Sequence, residues 1–245
     1  MKETRIIMGM PIAIDIADAE DAETINAVFD FFTDIDRRFS PFRDDSEVAA
    51  LNRGVHDHSD DMLDILTWAE RTKEETDGYF DVVRHDSRID PSGITKGWAI
   101  RKAADMIRVA GYRNFLIDAG GDIHSEGHNG KGEPWQIGIR DPFDAENVVK
   151  VIAPRGAGVA TSGSSVRGAH IYDPHDPHGD LSEIVSMTVI GPDILEADRF
   201  ATAAFAMGKD GVIFIESLPG FEAYAIDRSG IATMTSNFNR YVVTI

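Results

Sequence analysis

The stretch FLIDAGGDIHSEGHNGKGEPWQIGIRDPFDAENVVKVIA, residues 115–153, decides the fold class. It holds three short β-like runs, Phe115–Ala119, Trp135–Arg140 and Val148–Ala153, separated by glycine-rich or Asp-Pro turns. Short apolar runs bounded by turn residues read as strands joined by tight connections, which predicts an antiparallel meander. Upstream, RIIMGMPIAIDI from Arg5 to Ile16 predicts one opening strand. Ile25, Val28, Phe29, Phe32 and Ile35 then recur at helical spacing behind an acidic cluster, predicting a helix over Asp21–Asp36. A second helix is expected after Ser59, with Asp60 and Asp61 in its first turn, Leu63, Leu66 and Ala69 turned inward, and an end before Gly78. A third spans Thr95–Ala110 and stops at Gly111.

Downstream of the meander, VSMTVIG precedes a helix over Pro192–Met207, a short helix to Ser217 and a closing pair of strands around Tyr224 and Val242. The regular strand–helix alternation of a parallel sheet is missing. The class is therefore α+β, with mostly antiparallel sheets and flanking helices. No composition break marks a linker, so residues 1–245 read as a single domain, built as one body or as two intertwined subdomains.

With 42 acidic against 24 basic side chains, the chain carries a formal charge of −18 and no run of Lys or Arg. Nucleic acid is not an expected partner. The absence of cysteine excludes disulfides, thiolate metal sites and thiol catalysis. Gly9, Pro11 and Asp15 interrupt the first apolar stretch, which makes a poor signal peptide, and no segment approaches the roughly 20 apolar residues of a membrane span. The expected location is the cytoplasm.

Phosphate-loop, dinucleotide-fold, zincin and serine-hydrolase signatures are absent. What remains is an ordered set of small clusters: GYFD at 78–81, IDPSGITKGWA at 89–99, IDAGGDI at 117–123, ATSGSSVR at 160–167, HIYDP at 170–174 and EADRFAT at 196–202. Residue types suggest chemistry in several of them. Asp198 and Thr202 lie four apart on a predicted helix, so a carboxylate and a hydroxyl can offer hard oxygen ligands to one cation; an exposed helix-surface carboxylate beside a packed threonine is the plain alternative. Lys96 and Gly97 open a helix, where a cation and free N–H groups favour a phosphate, or where a solvated lysine sits beside a packing glycine. His170 reads as a structural histidine or a general base. His175 and His178 follow it at metal-like spacing, but Pro174 and Pro177 make an irregular loop there, and both are expected to be exposed.

Together with Met8-Gly9-Met10 and FSPFRDDSEVAALN at 39–52, the clusters in this order resemble the ApbE family of FAD:protein FMN transferases over nearly the whole chain. The resemblance implies an ApbE-like, T-fold-like architecture and Mg²⁺-dependent transfer of FMN from FAD to a Thr or Ser hydroxyl of an acceptor flavoprotein, releasing AMP. A Mg²⁺-dependent FAD pyrophosphatase and a non-catalytic flavin-binding protein are the alternatives. It further implies that Gly93 (by its carbonyl), Asp198 and Thr202 hold the metal, that Met8, Phe42, Tyr79, Phe80, Asp81, Asp90, Lys96 and Ile171 contact FAD, and that His170 is the base. The GGD turn at 120–122 and the TSG turn at 161–163 are expected to shape the backbone only. Three departures stand out: Met10 replaces the family's usual Thr, Phe42 its usual Tyr, and VVRHDSR at 82–88 a longer insertion.

Overall fold

The computed structural model describes residues 1–19, 22–144, 146–163, 173–176 and 183–243. The opening stretch is a hairpin rather than one strand: β1 (Lys2–Ile7) and β2 (Met10–Ile16) pair antiparallel. Met8 and Gly9 both take positive φ, 56° and 70°, the left-handed pair that a two-residue hairpin turn demands. Alternation then places Ile12, Ile14 and Ile16 in the core.

Four helices follow. In α1 (Glu23–Phe39), Ile25, Val28, Phe29, Phe32, Ile35 and Phe39 are buried along one stripe. Removing each such side chain from water contributes about 1.5–3 kcal/mol, which is what holds a charged helix on the core. The short α2 (Glu47–Asn52), not anticipated from the sequence, is capped by Ser46, which accepts the Ala49 N–H. Helix α3 (Asp60–Glu75) begins where Ser59 accepts the Met62 N–H. Its buried stripe is Met62, Ile65, Ala69 and Thr72, so Leu63, expected inside, is exposed instead. Counting Met62 as the first apolar residue turns the helix by one position. Helix α4 (Ser92–Val109) is buried along Ile94, Trp98, Ala99, Ile100, Ala103, Ala104 and Ile107.

The meander supplies β3 (Phe115–Ala119), β4 (Asp122–Glu126), β5 (Ile137–Arg140), β6 (Val148–Ile152) and β7 (Gly158–Gly163). After β8 (Ile184–Gly191) come α5 (Ile194–Ala206), α6 (Asp210–Glu216), β9 (Glu222–Asp227) and β10 (Ala232–Met234). The partner of β9 is therefore β10. Val242, expected in a closing strand, makes only an isolated bridge to Ile152. One sheet runs β1-β2-β3-β4-β7-β8-β9-β10 with antiparallel neighbours throughout, and β5-β6 form a separate pair.

Two cores result. Helices α1, α3, α4 and α5 cover one face of the sheet, with Ile12, Phe115, Ile117, Ala160, Trp98 and Phe200 among the buried residues. The β5-β6 pair packs on a second cluster containing Ile123, Val159, Ile190, Tyr224 and Phe238. Strand alternation matters at β4. Ile123 joins the second core, so Asp122, His124 and Glu126 share the other face, against α4.

Candidate active site

The site forms where the first turns of α4 and α5 meet. Gly97 makes that approach possible: a Cβ there would lie 2.7 Å from Asp198 Cβ and 3.0 Å from the Ile194 carbonyl oxygen. The bare helix surface lets the Gly97 N–H donate to Asp198 Oδ2 at 2.7 Å. Gly97 is thus a packing glycine whose amide is committed to a carboxylate rather than free for a phosphate. At Gly93, one turn earlier, a Cβ would lie 3.5 Å from Thr202 Cγ2 and 3.1 Å from the Phe80 ring. The structure therefore brings Gly93, Asp198 and Thr202 together, with the buried Phe80 against them.

Lys96 stands between two carboxylates. Its ammonium forms an ion pair with Asp122 and lies 3.6 Å from Asp198 Oδ1. Asp198 is 2% exposed and Asp122 1%, whereas the Lys96 side chain keeps 17% of its surface. Asp198 is consequently not the exposed helix-surface carboxylate of the plain alternative. Burial pushes its carboxyl up to about 7; Lys96 and the Gly97 N–H act against the rise, and the charge of Asp122 adds to it. Asp122 Oδ1 accepts the Thr161 N–H at 3.0 Å, while buried Oδ2 faces the lysine ammonium, with the Asp198 carboxyl close by. Among the described residues, these two carboxylates share one lysine.

Two turns expected only to shape the backbone contribute side chains here. Asp122 comes from the GGD turn, and Ser162 of the TSG turn places its Oγ 3.5 Å from Thr202 Oγ1. The available signal was alternation: Asp122 begins a strand whose odd-numbered neighbour Ile123 is apolar, so its own side chain faces the opposite layer. Arg199, also passed over, is 1% exposed and ties α5 to α3 through Glu75 and the Thr72 hydroxyl, while pairing with Glu196 of its own helix, with its guanidinium 3.8 Å from the Phe200 ring centroid. It locks the rotation of α5 next to Asp198.

The remaining expected residues surround this centre in different ways. Asp90 Oδ1 accepts the Ser92 N–H at 3.1 Å at the start of α4, and Oδ2 receives Arg84 at 3.4 Å. Asp81 pairs with Lys73 at 2.8 Å and accepts the Val83 N–H. Tyr79 packs edge-on against His175, ring centroids 4.6 Å apart, and His175 Nε2 donates to the Asp77 carbonyl at 2.9 Å. His175 itself is exposed, as expected. Met8 sits at the β1-β2 turn, partly packed on the main core. Phe42 is 93% exposed between α1 and α2, so among the described residues the structure brings it against no wall of the pocket; the turn is held by Ser46 and by an Arg43–Asp45 pair. The 82–88 segment closes as a small hairpin through a Val83–Ile89 bridge, with Asn52 clamping both backbone groups of Ile89. His170, Ile171 and His178 lie outside the described residues.

The residues present fit a hard divalent cation. Among the described residues no three His, Asp or Glu side chains converge as a metal cage. The oxygens such a cation would use are the Asp198 carboxylate, the Thr202 hydroxyl and the Gly93 carbonyl, with the buried Asp122 carboxylate, paired to Lys96, beside them.

Comparison with known proteins adds an independent line. A profile of the ApbE family matches residues 8–86 and 83–225, the two stretches meeting in the small 82–88 hairpin. The FAD:protein FMN transferase of Escherichia coli is 30% identical over 171 residues, covering 65% of this chain and 49% of its own length. That of Vibrio cholerae is 34% identical over 131 residues, covering 50% and 39%. The chain spans about half the length of the curated relatives it matches. Among solved structures, the flavin transferase ApbE from Vibrio cholerae aligns with a TM-score of 0.84 at 23% identity, covering 98% of each chain. The ApbE protein of Thermotoga maritima gives 0.86 at 21%, covering 100% of this chain and 99% of its own. These structural likenesses show the fold, an α+β arrangement of helices on an antiparallel sheet.

Proposed function

The chain belongs to the ApbE family, and from that premise we propose that it transfers FMN from FAD to a Thr or Ser hydroxyl of an acceptor protein, with Mg²⁺ bound and AMP released. The observation that carries this reading is the meeting of Gly93, Lys96, Asp198 and Thr202 at the α4–α5 junction, where among the described residues two buried carboxylates share one lysine. Relatives at 30% and 34% identity are FAD:protein FMN transferases, which supports the choice of substrate.

Gly93, by its carbonyl, Asp198 and Thr202 would hold the metal, whose contribution is to neutralise charge developing on the pyrophosphate. Donation of the Gly97 N–H to Asp198 supports this ligand set, since the α-helical partner of that N–H is the Gly93 carbonyl and its hold on that oxygen is shared. Lys96 adds a fixed positive charge toward the same phosphates. His170 takes the proton of the acceptor hydroxyl as its oxygen bonds to the FMN phosphorus and the bond to the AMP oxygen breaks. Tyr79, Phe80, Phe42 and Met8 are the apolar surfaces for the flavin nucleotide, with Asp81, Asp90 and Ile171 at its polar edges; the exposed Phe42 ring is free to stack.

The deciding experiment is incubation with FAD and Mg²⁺, with and without an acceptor carrying a flavinylation motif, following AMP, free FMN and acceptor mass. Acceptor mass gain equal to AMP released is expected. Equal AMP release with and without acceptor, and no mass gain, makes the protein a FAD pyrophosphatase. Binding of FAD without AMP formation makes it a flavin-binding protein. In calorimetry FAD should bind more tightly than NAD.

A further inference from the structure

Lys96 has two anionic partners, and they are not equivalent. Asp122 is buried, fixed at Oδ1 by the Thr161 N–H, and directs its otherwise unsatisfied Oδ2 at the ammonium. Asp198 is fixed at Oδ2 by the Gly97 N–H and meets the ammonium only at 3.6 Å through Oδ1. The lysine therefore leans to the sheet side. The carboxylate it leans away from is the one the metal reading needs. An ammonium on Asp198 would occupy the seat of the cation and compete with it, since both are drawn by the same charge.

We propose that Asp122 is a positioning residue that holds Lys96 off Asp198 and so keeps the divalent-cation seat open. This rests on the metal reading above and adds to it a residue of the GGD turn that contacts no ligand of its own. The device follows from the fold. Helix α4 supplies the lysine, β4 supplies the holding carboxylate and α5 supplies the metal carboxylate, so the two carboxylates approach the one lysine from different elements. If Asp122 loses its charge, Asp198 is the other carboxylate described beside the lysine, and the ammonium should swing toward it.

A double-mutant cycle on the full chain tests this, with Mn²⁺ alone as the probe and binding read by the paramagnetic signal of the ion rather than by activity. Asp122→Asn keeps the oxygen that accepts the Thr161 N–H and should weaken Mn²⁺ binding by about tenfold or more, the scale seen when a group orienting a metal site is lost. Lys96→Met should tighten binding, because the competitor is gone. In the Lys96→Met background, Asp122→Asn should cost only about threefold, the effect of its charge alone. Equal costs in the two backgrounds would overturn the proposal, showing that Asp122 acts by charge or by general stability. Should Asp122→Asn not fold, Lys96→Met alone decides: weaker Mn²⁺ binding in that variant overturns the competition. Absence of Mn²⁺ binding in the unaltered protein, with its fold intact, overturns the metal reading and this inference with it, whereas additive costs with normal binding overturn only the inference.

Discussion

Helix α4 meets strand β4 twice through charged side chains, and the two meetings are built differently. Near its start Lys96 pairs with Asp122; near its end Arg108 pairs with Glu126, beside His124. At the far end the carboxylates keep contact with solvent. Arg108 binds Glu126 and Asp105, keeps 33% of its side-chain surface, and touches a histidine whose pKa is lowered, chiefly by burial. At the near end a second carboxylate, Asp198, is buried, and among the described residues the two carboxylates share Lys96. One sheet-to-helix contact is a fastening. The other holds a buried carboxylate whose pKa burial pushes up, the kind of perturbation that clusters at functional sites.

The contrast is sharpest under Asp198→Asn. Transfer activity should fall by about a thousandfold, the kinetic counterpart of about 4 kcal/mol of lost charge stabilisation, measured as AMP release at saturating Mg²⁺. Without metal, the same variant should melt at the same temperature or higher, because it removes a buried charge that folding had to desolvate. A large drop in metal-free melting temperature would make the near end a fastening too. Gly97→Ala comes next. Its methyl group would enter 2.7 Å from Asp198 Cβ, and the flanking helix backbone at Ile194 cannot retreat cheaply. We expect a loss of about 1–3 kcal/mol in denaturant unfolding together with weaker metal binding, since the methyl group displaces the carboxylate itself. At the far end Glu126→Gln should leave AMP release unchanged within about twofold and cost roughly 1 kcal/mol, the worth of charged hydrogen bonds discounted for partial exposure.

The two ends also differ in how readily the sequence discloses them. Local signals were legible: Ser59 ahead of Asp60 caps α3 where expected, and the apolar stripe of α1 is visible in its 3.6-residue period. The Asp198–Thr202 pair was legible for the same reason, being spaced by one helical turn. What escaped depends on tertiary contacts. Nothing local tells Asp122 from any other carboxylate after a glycine pair; its meaning comes from α4 lying over β4. Burial of Asp198 was hidden likewise, because it is created by the closeness of two helices at Gly97. The Met8-Gly9 turn was readable in principle, but a continuous isoleucine pattern on both sides masked it.

The smallest effect separates the two ends by sign. Burial holds the folded-state pKa of His124 below its ordinary 6.5, and its Nδ1 has no hydrogen-bond partner to soften the penalty of charging. Its neutral form is favoured by folding, so the stability it supports is present above pH 6.5 and is lost as pH falls below. If the folded protein stays unprotonated at this ring, lowering pH from 7 to 6 costs at most about 0.7 kcal/mol. Asp198 does the reverse. Its carboxyl is raised to about 7 from 3.8, so on acidification the folded state takes up a proton that the unfolded state does not, and stability rises through the same window. In metal-free protein the unaltered chain should therefore show a shallow profile between pH 7 and 6, the two slopes opposing one another. Denaturant titrations in chelator should separate them: Asp198→Asn leaves only the His124 loss, and stability should fall on acidification, while His124→Gln leaves only the Asp198 gain, and stability should rise. Adding Mg²⁺ should flatten that rise, because a bound cation keeps the carboxylate ionised through this range. A flat profile in chelated His124→Gln would mean that Asp198 is already satisfied without metal, and the distinction between the two ends of α4 would collapse.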